Sequence, residues 1–134
     1  MPNKINFSPL KKAVSSLEDI LQQKMDEYRR DGAIQRFEYT FEMSWKMMQR
    51  VLKELGVEAG SPKQVFRAAL KANIIDDIEA WFRFLEMRNL TVHTYNEEQA
   101  QEVFKAAQAF LSFAQKILVR LQDVYESSKT YKTK

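Results

Sequence analysis

Apolar residues recur at helical spacing along almost the whole chain. Near the N-terminus, steps of three and four residues place one set on a single helix face: Leu10, Val14, Leu17, Leu21, Met25 and Tyr28. Ser8 and Pro9 provide an N-cap and a first-turn proline for this helix. Asp31-Gly32 is predicted to end it.

Three more helices follow in the pattern. The second is predicted from about 33 to 55, with one apolar face made of Ile34, Phe37, Phe41, Trp45, Met48, Leu52 and Leu55. Gly56 stands where glycine commonly ends a helix. Ser61-Pro62 begins a third helix that extends to about residue 72, and Asp76 is the expected N-cap of a fourth that runs from 77 toward 89.

The last predicted helix is the longest and has two apolar stripes. Asn96 is placed to cap its first turn, and Gln99 completes a capping-box pattern. The first stripe is Ala100, Val103, Ala107, Phe110, Ala114, Ile117, Leu121 and Val124, and the second is Phe104, Leu111, Leu118 and Tyr125. Because two stripes are wider than one core contact requires, this helix is either central in the bundle or also meets another chain.

These patterns predict an all-α fold, an antiparallel up-and-down bundle of four or five helices in a single domain spanning 1–134. Three glycines and three prolines leave few turns, which disfavours a β-rich fold. The ordered core is expected at about 8–127, and the tail, 128–134, is expected to be frayed and flexible.

Composition restricts the available chemistry. The absence of cysteine excludes disulfides and thiolate metal sites, and a single histidine makes a transition-metal site unexpected, so neither a metal nor a cofactor is predicted. No apolar run is long enough to cross a membrane, no signal-peptide pattern is visible, and the cytoplasm is the expected location. A net charge of +3 permits a nucleic acid or an acidic partner without requiring either.

The only histidine, His93, lies five residues after Arg88 and two before Tyr95. Histidine titrates near neutral pH, and arginine is the best planar partner for phosphate. On a straight helix Arg88 and His93 would point about 140° apart. Because Thr91 and Val92 are β-branched and weaken a helix, Arg88 is expected at the end of the fourth helix and His93 and Tyr95 on a short connector, where they can converge.

Glu38, Glu42 and Lys46 are each four residues apart on the second helix. They form either a ladder of weak ion pairs or a polar patch, over a cleft between two protomers or at the contact with a partner protein. Arg88 and His93 also have a purely structural explanation. In it, Arg88 forms an ion pair with Glu86 or Asp77, and His93 caps a helix or fills a polar niche. The large aromatics of the apolar stripes, Phe37, Phe41, Trp45 and Trp81, are expected in the core rather than on a base-stacking surface.

Five blocks of residues occur in order between about 34 and 98: Arg36 through Glu42, Ser44-Trp45-Lys46, Arg67-Ala68, Asp76-Asp77 with Trp81, and Arg88-Asn89 followed by His93-Thr94-Tyr95-Asn96. Together they resemble the HEPN domain superfamily, and within it the nucleotidyltransferase substrate-binding proteins. Members of this branch are encoded beside minimal nucleotidyltransferases (MNT). The resemblance implies a bundle similar to the C-terminal domain of kanamycin nucleotidyltransferase.

The resemblance also implies partners and site residues. It implies a homodimer that binds MNT subunits as a heterotetramer or a larger complex. Arg88 and His93 match the Arg-x4-His pair that, in catalytically competent HEPN ribonucleases, lines one cleft from both protomers. Asn89 matches the polar residue that often follows the arginine, and Tyr95 matches a tyrosine that the MNT protein modifies with AMP in related toxin–antitoxin pairs.

Cleavage of RNA without a metal needs a base, an acid and a cation for the phosphate. One histidine hardly serves as base and acid at once, so cleavage would require a dimer with two copies of His93 and of Arg88. The leading hypothesis is a dimeric, metal-independent ribonuclease toxin that its MNT partner neutralises. The alternatives are a non-catalytic subunit that presents a substrate or nucleotide to the nucleotidyltransferase, and a dimeric scaffold without activity. No membrane partner is expected.

Overall fold

The structure is a computed structural model that describes residues 4–93 and 96–132, except for the side chains of His93 and of residues 130–132. In these residues the chain forms α1 (Ser8–Leu21), α2 (Glu27–Glu54), α3 (Pro62–Lys71), α4 (Ile78–Leu90), a 3₁₀ turn (Thr91–His93) and α5 (Glu97–Lys132). No strand occurs in the described residues, so the all-α prediction is confirmed. None of the described helices is long and apolar enough to cross a membrane.

The core is built around α2, which packs against each of the other four α-helices. At its centre, aromatic rings from four helices meet edge-to-face or tilted, a favourable geometry for ring quadrupoles. These rings are Phe37, Phe41, Phe66, Trp81, Phe84 and Phe110. The prediction that the large aromatics are core residues is confirmed for three of the four, while Trp45 is only half-buried at the edge.

Helix α5 is central in the bundle, as its two stripes allow. Seven of the eight residues of the first stripe, from Ala100 to Leu121, are buried. Three residues of the second stripe pack half-buried against the core, and Tyr125 is buried, where its hydroxyl accepts a hydrogen bond from the Ile5 amide at 3.1 Å. The contact of α5 with another chain stays a prediction. The helical backbone of α5 extends to Lys132, beyond the expected end of the core at 127.

The predicted end of the first helix at Asp31-Gly32 is wrong. Helix α1 ends at Leu21, and Asp26 begins α2 by accepting a hydrogen bond from the Arg29 amide at 2.8 Å. The apolar spacing continued by chance across this break, and Tyr28 is 88% exposed. Gly32 lies inside α2, where a Cβ atom would be 2.7 Å from Cδ1 of Ile20 and 3.0 Å from Nη1 of Arg36, so a larger residue would require these side-chain ends to shift.

Two predicted N-caps are displaced by one residue. Ser8 is the first helical residue of α1, and Phe7 occupies the N-cap position without a side-chain cap hydrogen bond, while the side-chain carbonyl oxygen of Asn6 accepts the Ser8 amide N–H at 3.0 Å. Helix α4 is capped by Asp77 rather than Asp76, through a 3.1 Å hydrogen bond from the Ala80 amide. Either of two adjacent aspartates can cap a helix, so sequence alone does not choose between Asp76 and Asp77.

The predicted start of the second helix at about 33 is also wrong, since α2 begins at Glu27, whereas the predicted starts of α3 and α5 and the predicted end of α2 are confirmed. Ser61 accepts the Gln64 amide at 3.3 Å, and Asn96 accepts the Glu98 amide at 2.7 Å. Gly56 follows α2 with a φ of 83°, a left-handed conformation that glycine adopts without steric cost.

We predict that Gly56→Ala lowers the free energy of unfolding by about 1 kcal/mol, since a Cβ atom strains this left-handed backbone. The matched control is Gly60→Ala, where a Cβ would make only an ordinary 3.5 Å contact with Oε1 of Gln64. Urea denaturation followed by circular dichroism measures both. Equal stability of the two variants would contradict the explanation.

Candidate functional site

Arg88 continues the buried face of α4 past the edge of the aromatic core. Trp81, Phe84 and Arg88 follow one another at steps of three and four, which places them on one side of the helix. Trp81 and Phe84 are buried, whereas 33% of the Arg88 side chain is exposed. A guanidinium that is two-thirds buried requires a partner of opposite charge.

Glu42 of α2 is that partner. Nη2 of Arg88 lies 2.5 Å from Oε1 of Glu42, whose side chain is 22% exposed. The other carboxylate oxygen of Glu42 accepts the Trp45 indole N–H at 3.3 Å and lies 3.8 Å from Nζ of Lys46. Contacts from Arg88 and Trp45, with the Lys46 ammonium nearby, hold the carboxylate in orientation, so Glu42 positions Arg88 from a neighbouring helix. The two alternative partners, Glu86 of α4 and its N-cap Asp77, do not form an ion pair with Arg88.

The remaining donors of Arg88 are only partly used. Nη1 donates to Oδ1 of Asn89 at 3.3 Å. Nε is buried and has no hydrogen-bond partner within residues 4–93 and 96–132. A buried donor without an acceptor is unfavourable. The guanidinium therefore keeps hydrogen-bonding capacity for an acceptor that the described residues do not supply.

Helix α4 ends at Leu90, where the sequence predicts. The Thr91 hydroxyl and amide both donate to the carbonyl oxygen of Arg88, the hydroxyl at 2.7 Å, and the chain tightens into the 3₁₀ turn. This turn packs against α2, α4 and α5. Arg88 thus lies in the last turn of α4 and His93 on the connector. The His93 side chain and Tyr95 are outside the described residues, so their convergence with Arg88 stays a prediction.

The structure brings three of the four predicted supporting residues to Arg88 and leaves the fourth apart. Glu42, Lys46 and Asn89 lie with Arg88 at the junction of α2 and α4. Glu38 is half-buried one turn earlier on α2 and forms no hydrogen bond or ion pair with any described residue. The ion-pair ladder is therefore limited to Glu42 and Lys46, with Arg88 added from α4.

Two other polar residues of the sequence blocks have structural roles. Nε of Arg36 donates to Oγ of Ser16 at 2.9 Å, and the Tyr39 hydroxyl donates to the same oxygen at 3.0 Å. Both contacts join α2 to α1. These residues stabilise the helix pair and do not belong to the candidate site.

A second ion pair holds the far end of the connector, and sequence reasoning missed it. Arg30 of α2, with a side chain only 12% exposed, binds Glu97, the first residue of α5. The hydrogen bond from Arg30 holds the pKa of Glu97 below its usual value of 4.5, and the same bond raises the pKa of Arg30. The one available signal was an acid in the first turn of a helix, which does not identify a partner 67 positions away.

The residues at this site are not arranged as a metal centre. Within residues 4–93 and 96–132, no cluster of three or more histidine, aspartate or glutamate side chains is placed to hold an ion. The site presents a positioned guanidinium beside the connector that contains His93. A guanidinium in a fixed orientation is suited to bind a phosphate group.

Comparison with known proteins identifies the family of this chain. Residues 5–123 match the family described as nucleotidyltransferase substrate binding protein like. The chain belongs to this family. Its relatives include a protein of Haemophilus influenzae named probable ribonuclease HepT, which is 33% identical over 91% of this chain and 95% of the relative.

Two solved structures are similar to this nucleotidyltransferase substrate-binding family member. A crystal structure from Thermus thermophilus has a TM-score of 0.79 at 36% identity, covering 84% of this chain and 98% of that one. A Haemophilus influenzae structure, described as revealing the fold of a substrate-binding domain of a nucleotidyltransferase, has a TM-score of 0.79 at 30% identity, covering 87% and 99%. The HEPN assignment made from the sequence blocks is confirmed.

We predict that Glu42→Gln lowers the free energy of unfolding by about 1 kcal/mol, since it leaves the partly buried Arg88 charge without its counterion. Glu38→Gln, on the same helix and equally isosteric, is the control and should change stability by less than about 0.5 kcal/mol. Chemical denaturation of both variants provides the comparison, and equal effects would show that the Arg88 contact does not stabilise the fold.

Proposed function

We propose that this HEPN protein is one subunit of a two-component MNT–HEPN system and acts in the cytoplasm as a dimeric, metal-independent ribonuclease toxin. On this proposal residues 1–134 form a single HEPN-like domain, and the separately encoded MNT protein neutralises it. The observation that carries the proposal is the placement of Arg88, which Glu42 fixes at the end of α4 five residues before His93. The ribonuclease name of the Haemophilus relative supports the same activity.

The residues divide the chemistry as follows. The Arg88 guanidinium binds the scissile phosphate and stabilises the charge that gathers on it in the transition state. His93 accepts the proton of the 2′-hydroxyl, and the second copy of His93 protonates the leaving 5′-oxygen. Asn89 and Glu42 orient Arg88, and Lys46 adds positive charge beside it. A second chain is required because one protomer supplies one histidine.

We predict that His93→Ala reduces RNA cleavage by at least about 100-fold, the usual contribution of a positioned acid or base, while the dimer persists. Cleavage of a labelled RNA in the presence of EDTA measures activity, and light scattering after size exclusion measures the dimer. Gln108→Ala, on the exposed side of α5, is the control and should retain full activity. Unchanged cleavage by His93→Ala would rule out this mechanism.

The mass of the intact HEPN protein tests silencing by the MNT partner. Because Tyr95 matches the tyrosine that receives AMP in related pairs, protein co-expressed with its cognate nucleotidyltransferase should gain the mass of one or more AMP groups, and Tyr95→Phe should gain none. Intact-protein mass spectrometry measures both. Unmodified wild-type protein would contradict silencing by transfer, and modified Tyr95→Phe would place the target elsewhere.

A second candidate function is that of a non-catalytic subunit that presents a substrate or nucleotide to the nucleotidyltransferase. The family description and the substrate-binding fold of the Haemophilus neighbour favour it. Arg88 would then bind a phosphate group without cleavage. This alternative expects no RNA cleavage by the wild type and loss of nucleotide binding in Arg88→Ala, whereas an inactive scaffold would neither cleave nor bind.

A further inference from the structure

A stripe of positive charge on α2 begins beside Arg88. Lys46, Arg50 and Lys53 are spaced at four and three residues, so they lie within an arc of about 60° on one side of the helix. All three are exposed, and Lys46 is 62% exposed. Glu42 lies on the same side, and the stripe therefore extends about 16 Å along α2 from the carboxylate that positions Arg88.

Among the described residues, only the first cation of the stripe has an ion-pair partner. Lys46 lies 3.8 Å from Glu42, a carboxylate already bound to Arg88. Arg50 and Lys53 form no ion pair with any described residue. They line a surface hollow of about 510 Å³, which the 57–60 loop closes and in which Glu58 is the acid. Gln49 holds this loop against α2 through a 2.7 Å hydrogen bond to the Ala59 carbonyl.

From this arrangement we propose that Lys46, Arg50 and Lys53 form the track along which an RNA strand binds through its phosphates on its way to Arg88. The inference rests on the proposed ribonuclease function and adds the surface that holds the substrate. From Glu42 to Lys53, the α2 side chains on this side of the helix are charged, with Met43 and Gln49 at its two borders, whereas the centre of a protein interface is apolar. A line of cations spanning the length of a few nucleotides suits a phosphate backbone.

The track reads charge and not sequence. Binding platforms for single strands add exposed aromatic rings that stack on bases. The aromatic residue beside the stripe is Trp45, which is half-buried and donates its indole N–H to Glu42. Phosphate contacts therefore supply the affinity, and binding should weaken steeply with salt and respond little to base sequence.

The test is RNA binding in the cleavage-deficient His93→Ala background, measured by fluorescence anisotropy of a labelled single-stranded RNA. Lys46→Gln, Arg50→Gln and Lys53→Gln together remove the stripe. Lys11→Gln, Lys71→Gln and Lys105→Gln remove the same charge from exposed positions on α1, α3 and α5. The stripe variant should raise the dissociation constant by about tenfold or more and flatten the logarithmic salt dependence by about two units, since three single-strand phosphate contacts are lost.

Equal weakening by the two triple variants would overturn the proposal, because net charge alone would then explain binding. Unchanged RNA binding with loss of co-purification with the nucleotidyltransferase would also overturn it and assign the stripe to the protein partner. The outcome is separable from the proposed activity. Stripe-dependent binding by a wild type that cleaves nothing would support the track and reject the ribonuclease, and active cleavage with a KM unaffected by the stripe variant would do the reverse.

Discussion

The packing of the aromatic core determines where the candidate site lies. Phe84 of α4 packs against Phe37 of α2 and Phe110 of α5, with ring centroids 6.4 and 5.0 Å apart. Because close-packed rings of this size tolerate little rotation, they set the rotation of α4 about its own axis. One helical turn after Phe84, that rotation turns Arg88 toward α2, where Glu42 receives it. The site is a consequence of the core and not an addition to its surface.

The ion pair that this packing creates leaves little net charge on Arg88 and Glu42. Arg88 and Glu42 are partly shielded from water, and each satisfies much of the charge of the other. The pair fixes the guanidinium in one orientation, which favours binding of a phosphate in a defined position. The Arg30–Glu97 pair, on the other side of the connector, holds the start of α5 against α2. The segment that contains His93 is thus attached at both ends to the central helix.

Most of the helices could be predicted from the sequence, because apolar spacing and caps are local properties. Gly56 ends α2, and Asn96 caps α5, for reasons that lie within a few residues of each. The break between α1 and α2 could not be predicted, because the apolar spacing continues through Tyr28. The chain nevertheless starts a new helix at the N-cap Asp26. The ion-pair partner of Arg88 could not be predicted from the sequence either. Spacing identifies neighbours on one helix, whereas Glu42 is brought to Arg88 by the packing of two helices.

The charge balance of the site connects its two proposed parts. An arginine already paired with a carboxylate contributes little net attraction at a distance, so Arg88 can orient a phosphate but cannot by itself draw a polyanion to the cleft. Attraction has to come from cations that are exposed and lack strong partners, and on α2 these follow Glu42 directly. On this argument, orientation and capture are assigned to different residues: the partly buried Arg88–Glu42 pair orients the phosphate, and the exposed stripe supplies affinity. A substrate with one phosphate would gain little from the stripe, whereas a strand with several would use all of it, which favours an RNA over a mononucleotide as the ligand of this surface.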